Sequence, residues 1–413
     1  MRKLLTRSLC SILCTGVALS AVAQDTIRIA YIDPLTGAFS ATGYNGLTQF
    51  QFAVEELVNS KGGVLGGKRL EIVPYDNKAS AQESQLQLRR AISEGIQFIA
   101  QGNSSAVAGV LTDAIRRHNR RNPEQRLLYL NFAAVDPALT NENCSFWHFR
   151  FDAHADIKMQ ALTDMIAQRE DIKRIYIIGQ DYSFGQAVAD SAVGQLLVKR
   201  PDIQIVGNEL HPMETVKDFT PYVTKIVAAK PDAIITGNWG ADMVSLARAI
   251  TDAGITVPVY TYYAAFDGIT ATLGASGKGQ VRMVHEGHFN PPPTQAYAEY
   301  VRKFKAKYPE QDISYPRVIN TVQMLAKAIE EAGAADPMAV AYALESMEHT
   351  SIGGERLLMR ADDHQLFQPM QISVHTDEGI EFDGDNSGFG LLTEVSVPLE
   401  NTMLPTSCEM QRP

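Results

Sequence analysis

Cysteine is scarce in this chain, tryptophan scarcer, and positive charge is in deficit: 413 residues carry four Cys, two Trp and a formal net charge of −10. Such an acidic balance leaves no electrostatic footprint for nucleic acid or for an anionic membrane surface. Past the N-terminal segment, no apolar run reaches the ~20 residues that span a bilayer. Low-complexity tracts and solenoid-type repeats are missing as well. The chain is therefore globular, and long enough for two packed lobes with a cleft between them.

Motifs for chemistry are equally thin. No G-x-S-x-G elbow occurs. The glycines of KGGVLGGKRL follow a helical pattern and precede a strand, so they read as a helix end and turn rather than a phosphate loop. In VHEGHFN, His285 and His288 stand three apart where a zinc-protease helix needs four, and the stretch is strand-like. His148, His154 and Asp156 read as solvated polar groups at a strand end and a helix start. No nucleophile, base and orienting group assemble, so the sequence implies no enzyme, no cofactor and no metal site.

What is present begins with a leader. Arg2, Lys3 and Arg7 precede the apolar LCSILCTGVALSAVA, which ends in the small-x-small site Ala21-Val22-Ala23. This pattern predicts a signal peptide over 1–23, cleavage after Ala23, and export to the periplasm. Its loss moves the net charge from −10 to −13 and leaves only Cys144 and Cys408. In an oxidising compartment these two suffice for one disulfide, which would pin the tail 401–413. Two buried thiols are the alternative.

The remainder alternates strand and helix. TIRIAYI, RLEIVPYD, IQFIAQG and RLLYLNF form one β-rich set, and RIYIIG, QIVGNEL, DAIITG and VPVYTYY a second, with helical periodicity between them. Two such sets predict α/β architecture with two doubly wound parallel sheets. After Asn290-Pro291-Pro292-Pro293, helices near 294–307, 314–333 and 337–347 return to cover earlier sheets. Polar and aromatic residues gather where strands end: Gly102 to Ser105, Asn131 to Val135, Gln180 to Gly185, Asn238 to Gly240, and Tyr260 to Phe266. Ligands collect beyond the carboxyl ends of parallel strands, so two lobes presenting such ends to each other make a binding cleft.

These segments, in this order, resemble the type I periplasmic binding proteins of the Leu/Ile/Val-binding class. The resemblance rests on PLTGAFSATG, KGGVLGGKRLEIVPYDN, GNSSA, AAVDPALT, QDYSFGQ and TGNWGADM, and runs from about residue 26 to about 390. It implies a hinged trap of two lobes, 26–150 plus 288–357 and 151–287 plus 358–400. Three crossovers would join them near 149–152, 284–291 and 356–362.

The resemblance also implies function: an ABC importer's solute-binding protein, monomeric, that hands a small carboxylate to permease subunits without inserting into the membrane. The same trap could instead serve a signalling kinase as its ligand-sensing partner. In the family a serine at a helix start and the neighbouring strand-end amides hold the ligand carboxylate. Here those positions are Ser105, with Ser104 as alternative, and Ala133, Ala134 and Val135.

Two departures bear on the ligand. Val135 stands where amino-acid binders place a threonine, and Tyr263 near where they place an acid for the ligand's ammonium. This favours an amine-free aromatic or aliphatic acid beside a hydrophobic amino acid, unless Asp267 or Asp181 supplies the missing charge. Tyr182, Phe184, Trp239, Tyr262 and Tyr263, with Phe39 and Thr42 from the other lobe, would wall the cleft; Phe184 serves equally well as core.

Overall fold

The computed structural model describes residues 26–413. The expected leader and its cleavage site lie outside the described residues. Five strands open the fold: β1 (Thr26–Asp33), β2 (Arg69–Asp76), β3 (Phe98–Gln101), β4 (Leu128–Asn131) and β5 (His148–Arg150). They pair in parallel in the order β2-β1-β3-β4-β5. Every residue of β3, β4 and β5 is buried, as expected for strands covered on both faces.

The second sheet takes β6 (Arg174–Gln180), β7 (Gln204–His211), β8 (Ala233–Thr236), β9 (Val259–Thr261) and β10 (Val281–Glu286) in parallel. The small antiparallel sheet comes next, built from β11 (Glu348–Thr350), β12 (Arg356–Met359) and β13 (Leu366–Phe367). The chain then adds β14 (Met370–Thr376) antiparallel to β10 and β15 (Gly390–Val397) antiparallel to β14, giving the order β15-β14-β10-β9-β8-β6-β7. The result is two α/β lobes.

Each lobe has its own apolar core. Ile29, Phe50, Phe98, Leu128 and Phe149 anchor the first. The returning helices Gln295–Lys307 and Pro316–Ala332 join it through Phe304, Val322 and Leu325. Ile157, Ile175, Ala233 and Ile372 anchor the second. The chain passes from one core to the other between Phe151 and Ala155, and returns between Val284 and Tyr297.

The third passage, expected near 356–362, runs through the small sheet. Leu357, Met359 and Leu366 are buried in the first lobe's core, whereas Met370 and Ile372 are in the second's. Alternation along the small sheet splits its side chains: Leu358 of β12 packs against the second core and Phe367 of β13 is buried in it, so the sheet touches both lobes.

The tail then makes a further excursion. Leu399 packs in lobe two, and Gln160 donates to the Asn401 carbonyl at 2.7 Å. Cys408, however, is bonded to Cys144 of lobe one, with the two Cα atoms 5.7 Å apart. Thr406 Oγ1 donates to the Thr140 carbonyl at 2.8 Å alongside.

Candidate functional site

The cleft between the lobes encloses about 600 Å³, counting its mouth. Thr42, Ser104, Ser105, Ala133, Ala134, Val135, Tyr182, Phe184, Trp239 and Tyr263 all line it. Tyr262 does not. Its side chain is wholly buried in lobe two, where its hydroxyl donates to the Ala155 carbonyl at 2.8 Å. Alternation along a strand end sends neighbouring side chains to opposite faces, so only one of the two adjacent tyrosines can face the ligand.

Lobe one presents a loop under tension. Asp33, at the end of β1, accepts from the amides of Gly102 and Asn103 at 3.2 and 2.9 Å. Gly102 must be glycine: a Cβ there would lie 2.8 Å from both Ala133 and Phe132. Pinned in this way, the chain turns through Ser104 at φ +81°, a left-handed value uncommon outside glycine. The turn starts the helix Ser105–Arg121 with its amino end toward the cleft. Ser104 makes no side-chain capping bond, and Ser105 Oγ accepts from the Asp136 amide at 3.2 Å.

The neighbouring amides depart from expectation. Asn131 Oδ1 accepts from Ala133 N–H at 3.2 Å and from Ala134 N–H at 2.8 Å, so these two donors are engaged inside the protein. An asparagine two residues before the loop is the sequence signal for this turn. The side chain of Val135 is buried among lobe-two apolar residues together with Phe39, so it serves the contact between lobes.

Several contacts hold the lobes together. The ring of Phe39, from lobe one, stacks on Trp239 of lobe two with centroids 4.1 Å apart. Gly240, at φ +59°, allows this approach, since a Cβ would meet Phe39 Cδ1 at 2.4 Å. Asn45 Nδ2 of lobe one donates to Asp267 Oδ1 of lobe two at 2.8 Å, while within lobe two Trp239 Nε1 donates to Tyr182 Oη at 2.7 Å. This is a closed arrangement.

Of the two acids considered as substitutes, Asp267 lines the cavity. Asp181 is exposed and accepts from Gln186. Burial pushes the Asp267 carboxyl up to about 6; hydrogen bonds from Asn45 and Thr42 offset this in part, and Asp385 and Asp312 add repulsion. The turn that carries Asp267 is left-handed at both Phe266 and Asp267, with φ +64° and +52°.

At the base of the cleft lies a charge cluster not anticipated from sequence. Arg317 Nη1 donates to Glu286 at 2.6 Å and Nε to the Phe132 carbonyl at 2.6 Å, with Asp152 3.3 Å away. Lys158 Nζ lies 2.8 Å from Asp152 and 4.9 Å from the centre of the Tyr263 ring. Burial raises the Asp152 carboxyl; Glu286 is held low by Arg317 and Lys158 although burial opposes it. With two cations and two anions the quartet is neutral, which is what permits its burial. Asp152 and Glu286 lie where the chain leaves and re-enters lobe one, so the cluster ties two crossovers to the cleft.

Comparison with known proteins fits this architecture. The model of the periplasmic binding protein family matches residues 26–379. The chain is 30% identical to the "Leu/Ile/Val-binding protein homolog 4" of Brucella melitensis, covering 97% of each chain. It is 25% identical to a leucine-, isoleucine-, valine-, threonine- and alanine-binding protein of Pseudomonas aeruginosa, over 83% of this chain and 88% of that one. The crystal structure of a protein of that name from Brucella ovis, in a closed conformation, superposes with a TM-score of 0.81 at 29% identity, covering 94% of this chain and 100% of that one.

Proposed function

The chain belongs to the periplasmic binding protein family, and from that premise we propose that its cleft captures a hydrophobic α-amino acid for delivery to an ABC permease. Asp267 carries this reading. It is a carboxylate on the cavity wall whose hydrogen-bond partners, Asn45 and Thr42, are neutral, and burial holds its pKa near 6. A ligand ammonium is the counter-charge such a group lacks. It occupies the role that Tyr263 leaves open.

The remaining walls suit the rest of the molecule. The helix start at Ser105 favours an anion through its unpaired amides. Tyr182, Phe184, Trp239 and Met283 offer an apolar lining for a side chain. Ligand bridging Ser105 of lobe one and Asp267 of lobe two would favour the closed state, with the crossovers as the hinge. No helix among the described residues is long and apolar enough to cross a membrane. Export with cleavage after Ala23 supplies the compartment in this reading.

A thermal-shift screen of the mature protein with the amino acids and with amine-free aromatic and aliphatic acids tests it, because a specific ligand raises Tm by mass action. Hydrophobic amino acids should shift Tm and their deaminated counterparts should not. The reverse order would assign the cleft to amine-free acids.

A further inference from the structure

Two residues that line the cavity each hold a buried donor without a partner. Arg317 Nη2 and Asn103 Nδ2 are both buried without a hydrogen bond, and their residues are only 3% and 5% exposed. Both residues line the cleft. Tyr315 joins them: its hydroxyl donates to Asn103 Oδ1 at 3.2 Å, and Arg317 Cζ lies 4.6 Å from the centre of its ring. Buried donors without acceptors are rare and costly in folded proteins, and one of these belongs to a cation. The missing partner is an oxygen, and for a guanidinium the best match is a carboxylate.

We propose that Arg317 and Asn103 grip the ligand's carboxylate, providing the donors that the amides of Ala133 and Ala134 withhold. The inference rests on the proposed solute-capturing role and refines it. It makes the charged acid group, rather than a neutral carbonyl, the feature that the site selects. The remaining nitrogens of Arg317 are occupied by Glu286 and the Phe132 carbonyl, with Asp152 close by. A carboxylate on Nη2 is therefore sensed by the group that ties two crossovers together, which couples occupancy to the hinge.

Calorimetry with acid and amide pairs, L-leucine with L-leucinamide and benzoate with benzamide, tests the assignment. In the wild-type protein the acid that binds should do so about 10- to 100-fold more tightly than its amide, as for a charge-assisted bond gained. Arg317→Lys keeps a cation beside Asp152 and Glu286 but loses the second fork, and should shrink that preference to within about threefold. Asn103→Ala should reduce it in part. An acid preference unchanged in both variants overturns the inference while leaving the solute-binding role intact. If neither acid binds the wild-type protein, that role fails and takes the inference with it. Should Arg317→Lys not fold, the side-chain resonances of 15N-labelled Arg317 in the wild type decide: a shift on saturation supports the contact, and unmoved signals refute it.

Discussion

Asp267 offers the sharpest test of the amino-acid reading, because its ionisation and ligand binding should be linked. In the closed cleft burial raises its carboxyl to about 6. A bound ammonium favours the ionised form and lowers that value in the complex. Below the free pKa, binding must therefore expel a proton. Affinity should be flat above pH 7 and fall about tenfold per unit below pH 6, until the pKa of the complex is reached. At pH 5 the loss is about tenfold, close to 1.4 kcal/mol. An amine-free acid has the opposite sign, since neutralising Asp267 removes a like charge from the site.

Asp267→Asn should abolish the pH slope and weaken an amino acid by about 2–5 kcal/mol, the usual cost of stripping one partner from a buried ion pair. It should also make the empty protein more stable at neutral pH. The folded pKa lies above the unfolded one, so the ionised carboxyl destabilises the fold as pH rises from about 4 to 6. Calorimetric titration from pH 5 to 8, with both ligand classes and both proteins, reads all of this. Amino-acid affinity that is level across the range would refute the pairing of Asp267 with an ammonium.

Other substitutions probe closure and the tail. Gly240→Ala places a methyl 2.4 Å from Phe39 Cδ1, and should cost about tenfold or more in affinity with an unchanged circular dichroism spectrum. Phe39→Ala removes the stack on Trp239 and should weaken binding by about 0.5–1.5 kcal/mol beyond the lost area, measurable by Trp239 fluorescence titration. Val135→Thr buries a hydroxyl among apolar neighbours of both lobes and should cost about 1–3 kcal/mol of the closed state, seen as a weaker apparent affinity. Cys144→Ser should lower Tm by the equivalent of about 2–5 kcal/mol without altering affinity, checked by scanning calorimetry against the wild type with and without reductant.

Much of the architecture was legible because the parallel strands carry long apolar runs. RIYIIG and DAIITG could be placed from composition, and the glycines and prolines between elements marked their ends. The small sheet β11 to β13 was not legible. Its strands are two to four residues long, too short for period-two alternation to show. At the site, the strand-end rule located most of the wall but not its wiring. Nothing local says that Asn131 folds back on Ala133 and Ala134, although its position two residues ahead permits it. Arg317 sits in the first turn of a helix, 185 residues beyond the Phe132 carbonyl that it holds. Only the fold brings them together.

The Cys144–Cys408 link means that the last residues are a strap rather than a loose end. After leaving lobe two at Leu399, the backbone is moored to the opposite lobe at Cys408. Material produced in a reducing cytosol would lack that mooring, with the strap resting on hydrogen bonds such as Thr406 to Thr140 and Ser407 to Asn141. Purification tags fused after Pro413 would project from a fixed point on lobe one in oxidised protein and from a frayed end in reduced protein. Preparations from the two compartments should therefore differ in protease sensitivity at the carboxyl terminus even when they bind the same solute.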